Sequence, residues 1–125
     1  FPRGTFSTAV GLHTLDSVAS PLDLLNSLAE VLAAGGKLIL ASPYDWNSNV
    51  TRLEAWIGGH SQRGNRGGDS GQILADLLTP GAHPASIRGL KLIHQSDDIL
   101  WKVRWHDRGT IHYRVHLVVA ERKLA

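Results

Sequence analysis

The 125-residue chain contains no cysteine and no methionine. Without thiols, disulfide staples and thiolate metal sites are excluded. Charge of one sign is lacking too: the net charge is +2, too mild to argue for nucleic acid by electrostatics. No apolar run approaches the roughly 20 residues of a membrane-spanning helix. The first residues lack a signal-peptide pattern. These absences set the expectation of a soluble, cytoplasmic protein with neither a membrane nor a nucleic acid as partner. The chain opens on Phe1 with no methionine anywhere, so a processed chain or a piece of a longer one is expected. Aromatics are sparse as well, at 6%. Yet Tyr44, Trp46 and Trp56 crowd into one stretch, ASPYDWNSNVTRLEAWIGG at 41–59.

What remains has the composition of a globular protein: 42% hydrophobic and 19% charged residues, over a length that suits one domain spanning 1–125. FSTAVGL at 6–12 reads as a short buried strand. Ser20, Pro21 and Asp23 make a helix start. Leu25, Leu28, Ala29 and Leu32 then form one apolar stripe, and Gly35 and Gly36 are expected to stop the helix. KLILA at 37–41 is the next strand, so the spacing predicts a βαβ unit with parallel strands. Thr51 and Glu54 have capping-box spacing and suggest a short helix carrying Leu53, Trp56 and Ile57. HSQRGNRGG at 60–68 reads as a flexible loop. Asp69 or Ser70 caps a further helix with Ile73, Leu74, Leu77 and Leu78 inward. LKLIHQ at 90–95, ILWKVRWH at 99–106 and the β-rich run at 111–123 complete an α/β fold, parallel strands closed by an antiparallel C-terminal strand pair.

In an open α/β sheet, ligands bind beyond the carboxyl ends of the strands. Two such ends are readable, GLHTLDS at 11–17 and SPYDW at 42–46. Neighbouring parallel strands would bring His13, Thr14, Asp16, Ser42, Tyr44 and Trp46 to one rim. Two roles stand side by side for His13 and Asp16: chemistry at that rim, or capping and turning the chain. Tyr44 and Trp46 likewise fit a pocket wall or a cover for the sheet edge. Trp101 and Trp105 lie within a strand and are expected to pack into the core. His112 and His116 sit four apart with no third ligand near, so no metal site is expected. There is no serine nucleophile elbow, phosphate loop or paired glutamates.

The stretch FSTAVGLHTLDSVASPLDLLNSLAEVLAAGGKLILASPY resembles the second half of a class I S-adenosylmethionine-dependent methyltransferase. The matching positions are Val18–Pro21, the helix after them, and Leu32 to Leu38 with Gly35 and Gly36 between. SPYDW with EAWIGG is similar to the methyltransferase domain of ovothiol-biosynthesis enzymes, which methylate an imidazole nitrogen. DDILW, Arg104 and His116 in the tail are similar to that group as well. The resemblance covers residues 6–123 and implies a partial Rossmann-like sheet, with S-adenosylmethionine as cofactor and a small-molecule acceptor, an imidazole or amino-acid nitrogen. It implies Gly11, Leu12 and His13 beside the cofactor. His13, Asp16 and Tyr44 would serve catalysis, and Ser42, Tyr44, Trp46, Trp56 and Arg104 the acceptor.

The family's glycine-rich loop and ribose-binding acid have no counterpart in this sequence. The chain is therefore expected to bind the cofactor poorly by itself. It should also leave a sheet edge open for self-association or for pairing with the missing N-terminal half. Two other function classes stand beside the enzyme. One is a non-catalytic remnant or partner subunit that associates through that edge. The other is an RNA-binding module using Arg63 and Arg66.

Overall fold

Ser20 and Pro21 start helix α1, Pro21–Val31, with the Ser20 hydroxyl accepting from the Asp23 N–H at 3.3 Å. The computed structural model describes residues 1–58 and 69–124. The arginine-glycine segment at 60–68, with Arg63 and Arg66, lies outside the described residues. Strand β1 is Phe6–Leu12 and strand β2 is Leu32–Ser42. They pair in parallel, with Thr8 to Leu12 against Lys37 to Ala41. The βαβ unit read from the spacing is thus present.

The helix ends four residues before its expected glycine stop. Val31 is its last residue, and Leu32 is already extended at φ −78° and ψ 134°. A helix leaves its last carbonyls without partners inside the helix. Here other parts of the chain supply them: Gly4 N–H donates to Glu30 O and Thr5 N–H to Val31 O, both at 2.9 Å. The Arg122 guanidinium donates to Ala29 O. A glycine cap is not needed. Gly35 and Gly36 instead form an irregularity inside β2, where Phe6 faces Leu32 but Thr8 already faces Lys37. Gly35 takes φ +78°, and a Cβ at Gly36 would stand 2.8 Å from Ala33 O.

Helix α2, Ser70–Leu77, is capped by Asp69, whose carboxylate accepts from the Gln72 N–H at 3.2 Å. Strand β3 is a single run, Leu90–His106, rather than two segments, and β4 is Gly109–Arg122. The sheet order is β1-β2-β4-β3, with β4 antiparallel to both neighbours. Register shifts at Leu92/His94 and Ser96/Ile99 let β3 bend while staying paired. Thr51 and Glu54 form no capping box. The chain makes only a short 3-10 turn at Leu53–Ala55, and the buried Thr51 hydroxyl donates to Val18 O at 2.5 Å.

The core lies on one face of the sheet. Leu25 and Ala29 of α1 and Leu74 and Leu77 of α2 meet Leu38 and Leu40 of β2 and Val118 and Ala120 of β4. Side chains alternate along a strand, so the intervening residues point to the opposite face. The register sets Val10, Ile39 and Val119 in one row there, and Leu12, Ala41 and Leu117 in the next. Val10 and Leu12 are each 55% exposed. Among the described residues no helix covers that face, and none is long and apolar enough to cross a membrane.

Beyond Ser42 and His116, β4 has no β2 partner, so the β3–β4 hairpin projects past the sheet. This corrects the expectation for Trp101 and Trp105: they are 38% and 70% exposed, because among the described residues no helix packs on the projecting arm. Gly36→Ala should lower stability by about 1–3 kcal/mol through forced close contact. Chemical denaturation reads it. An unchanged midpoint would mean that Gly36 does not hold the tight bend.

Candidate functional site

Just past the end of each parallel strand stands a residue with left-handed backbone. His13 has φ 56° and Tyr44 has φ 55°, values that side chains other than glycine rarely take. Each is held there. His13 N–H donates to Ala41 O at 2.7 Å, tying the first loop to the second strand. Tyr44 N–H donates to the Ser42 hydroxyl at 3.0 Å. Such strain collects at functional sites, where surrounding contacts over-determine the backbone.

The two loops are clasped by a carboxylate. Asp16 is buried, and its Oδ2 accepts from the Asp45 N–H at 2.6 Å. The turn at Leu15–Ser17 fixes its position, and the Ser17 hydroxyl lies 3.4 Å from Oδ1. Asp45 follows directly on the strained Tyr44, so the clasp sets where the aromatic loop begins.

Past the clasp, an open cavity of about 620 Å³ is walled by Tyr44, Trp46 and Trp56. The two indoles lie nearly parallel, 15° apart, with centroids 6.1 Å apart. Their N–H groups are engaged elsewhere: Trp46 donates to the Ser70 hydroxyl at 3.0 Å and Trp56 to Thr51 O at 2.8 Å. Helix α2 contributes Ser70 and Gly71, and β4 contributes His116 and Arg114. Asp45, Asp69 and Asp97 put three carboxylates on the rim.

The Tyr44 hydroxyl and His116 Nδ1 are 2.6 Å apart, and His116 Nε2 is 2.9 Å from Gln95 Oε1. His116 is 6% exposed and shares the helix-covered face with Val118 and Ala120. Gly71 allows α2 to come this close, since a Cβ there would stand 3.3 Å from His116 Nδ1. Burial pushes the Tyr44 phenol well above the ordinary tyrosine range, and the charges of Asp97, Asp69 and Asp16 push the same way. Tyr44 is therefore a neutral hydroxyl at physiological pH.

A second, smaller cavity of about 170 Å³ lies around His13, Asp16, Pro43, Trp101 and Tyr113. Asp45 lines both. Trp101 stacks on His13, with centroids 3.9 Å apart at 13°, and on Tyr113 at 5.1 Å. The Tyr113 hydroxyl reaches Asp45 Oδ2 at 3.4 Å. His13 Nδ1 is buried without a hydrogen-bond partner.

The residues singled out in the sequence therefore separate. Tyr44, Trp46 and Trp56 meet in the large cavity, and His13 and Asp16 in the small one. Ser42 is 2% exposed and braces Tyr44 from below. Gly11 is buried, where a Cβ would meet Thr14 Oγ1 at 2.9 Å, and Leu12 points to the open face. Arg104 sits on the projecting hairpin, paired with Asp107 at 3.2 Å, while Arg114 lines the cavity. Sequence reading passed over Gln95, Arg114, Asp69 and Asp97 as site residues, and gave His116 no role in the pocket. For His116 a signal existed, since it shares the strand phase of Val118 and Ala120.

No protein-family model matches the chain, and no curated protein matches it in sequence. Solved structures do. A S-adenosylmethionine-dependent methyltransferase from Methanosarcina mazei matches at TM-score 0.59 and 16% identity, over 100% of this chain and 63% of that one. A structure described by conversion of a disulfide bond into a thioacetal group during echinomycin biosynthesis matches at TM-score 0.60 and 13% identity, over 97% and 51%. The [4+2]-cyclase SpnF matches at TM-score 0.58 and 13% identity, over 100% and 53%. The fold is that of part of a class I methyltransferase, and the chain spans 51–63% of these neighbours.

A raised phenol pKa has a sign for stability. The folded value exceeds the unfolded one, so the contribution is complete below the ordinary phenol pKa of about 10. It is lost as pH rises from there through the folded value. Thermal melts should show stability falling above about pH 10, with a shallower fall in Tyr44→Phe. Equal slopes in both proteins would mean that Tyr44 is not held neutral by burial.

Proposed function

We propose that the chain is the acceptor-binding half of a S-adenosylmethionine-dependent methyltransferase acting on a small molecule, an imidazole or amino-acid nitrogen. The observation that carries this reading is the aromatic cavity at the carboxyl ends of β1 and β2, where an open α/β sheet takes its ligands. The methyltransferase fold of the solved neighbours supports it. The likeness of SPYDW and EAWIGG to ovothiol-biosynthesis methyltransferases supports the choice of an imidazole.

The cofactor, when bound, supplies a methyl group on a positively charged sulfur. The residues present fit its amino-acid end: His13 Nδ1 is an unspent polar atom, and Asp16 and Asp45 are carboxylates beside it. Nothing in the sequence offers the glycine-rich loop that would cradle its nucleoside. This chain's own contribution is to hold the acceptor in line, which carries much of the rate in such transfers. Trp46 and Trp56 form an aromatic wall, and the carboxylate rim favours positive charge in the cavity. Tyr44 and His116 stand where a nitrogen losing its proton could pass it on.

A second reading rests on β1. Its outer edge has no strand partner among the described residues, and Val10 and Leu12 are exposed beside it. This favours association through that edge, with a second copy or with the missing N-terminal half, with or without catalysis.

Calorimetry separates the two. This chain alone should bind S-adenosylmethionine weakly, and a longer chain carrying a glycine-loop half should bind it firmly and transfer methyl. Tight binding by the short chain would overturn the assignment of the missing half. A longer chain that binds nothing would favour the associating subunit. Trp46→Ala in the active protein is expected to lower methyl-transfer efficiency more than stability, read by kinetics beside thermal unfolding. A large loss of stability with normal turnover by the folded fraction would make the aromatic loop scaffolding.

A further inference from the structure

The chain of contacts from Gln95 through His116 to Tyr44 has a direction. Gln95 Oε1 is a carbonyl oxygen and only accepts, so the proton of a neutral His116 lies on Nε2. That leaves Nδ1 with a lone pair, and the Tyr44 hydroxyl must donate its one proton to it. The Tyr44 oxygen then turns lone pairs alone toward the cavity. The other neutral donors of the wall are largely spent, because both indole N–H groups are engaged by Ser70 and Thr51. Asp45, Asp69 and Asp97 add acceptors. Among the described residues, the donors that remain on the wall are Arg114, paired with Asp98 at 3.7 Å, the Ser70 hydroxyl, and the first N–H groups of α2 at Ser70 and Gly71.

We propose that Gln95, by fixing the His116 tautomer, makes Tyr44 a one-way hydrogen-bond acceptor, so that the cavity selects flat ligands bearing an N–H and disfavours their N-methylated forms. The inference deepens the reading of the cavity as the methyl-acceptor site and rests on it. It gives that site a means of release, since the product of nitrogen methylation has lost the donor that held the substrate. Tyr44 touches the ligand. His116 and Gln95 are positioning residues that act through it.

Binding without any methyl donor tests this, so its failure is distinct from failure of the methyltransferase reading. The probes are imidazole and 1-methylimidazole, which share shape but differ in the N–H. They are titrated into the 125-residue protein about two pH units above the ordinary histidine pKa of about 6.5, followed by NMR. Imidazole should bind about tenfold more tightly, the worth of one hydrogen bond to an otherwise unsatisfied acceptor. Tyr44→Phe should bring the two affinities together. Gln95→Leu should do so in part, and Gln95→Glu, which still accepts, should retain the difference. Ring-nitrogen spectra should place the His116 proton on Nε2, and show a mixture of the Nδ1–H and Nε2–H tautomers in Gln95→Leu. Equal affinities in the wild type, discrimination that survives Tyr44→Phe, no binding of either probe, or a proton on Nδ1 would each overturn the proposal.

Discussion

The buried carboxylate of Asp16, accepting from the Asp45 N–H, is the contact on which the site depends. It joins the loops that leave two adjacent parallel strands, and it does so between residues 29 positions apart. A carboxylate accepting from a backbone N–H makes a stronger bond than a neutral pair, and burial removes the competition of water. With Asp45 fixed, Tyr44 is confined between the Ser42 brace behind it and the clasp ahead. Its left-handed backbone then aims the ring at His116 rather than at solvent. Removing the Asp16 side chain would take away the acceptor of the Asp45 N–H and free both loops at once.

The clasp also divides two environments. On the helix-covered face, Tyr44, Trp46 and His116 form a cavity with α2. On the opposite face, Trp101 and Tyr113 from the projecting hairpin fold over His13. The division follows from alternation along β4, which sends His116 and Tyr113 to opposite sides of the sheet. Asp45 sits where the two cavities meet and lines both. The two cavities thus lie on different sides of one strand end.

The fold by itself does not fix a reaction. The same architecture is found in a methyltransferase and in a [4+2]-cyclase, at identities of 16% and 13%. A doubly wound sheet offers a crevice at its strand ends, and the chemistry is set by the side chains placed around it. Those side chains are, for this protein, an aromatic wall, a carboxylate rim and a tyrosine held by a buried histidine.

The sequence by itself determined the local elements that short-range chemistry controls. Ser20 and Pro21 marked the start of α1, and the choice of Asp69 or Ser70 marked that of α2 to within one residue, because caps act within one turn. The parallel pairing of β1 with β2 followed from the spacing around α1, and the aromatic stretch after β2 pointed to the rim. Where long-range partners compete with local signals, tertiary structure decided. Gly35 and Gly36 looked like a helix stop, but Gly4 and Thr5 already satisfied the helix carbonyls, so the glycines went to a bend in β2. Trp101 alternated like a core residue, yet it stands on an arm that β2 does not reach. Gln95 meets His116 only because register shifts in β3 bring it there, and no periodicity in a single strand encodes the register of its neighbour. The pairing of Tyr44 with His116, 72 positions apart, is of the same kind. Side-chain convergence across strands is set by pairing and burial, which the order of residues along one segment does not carry.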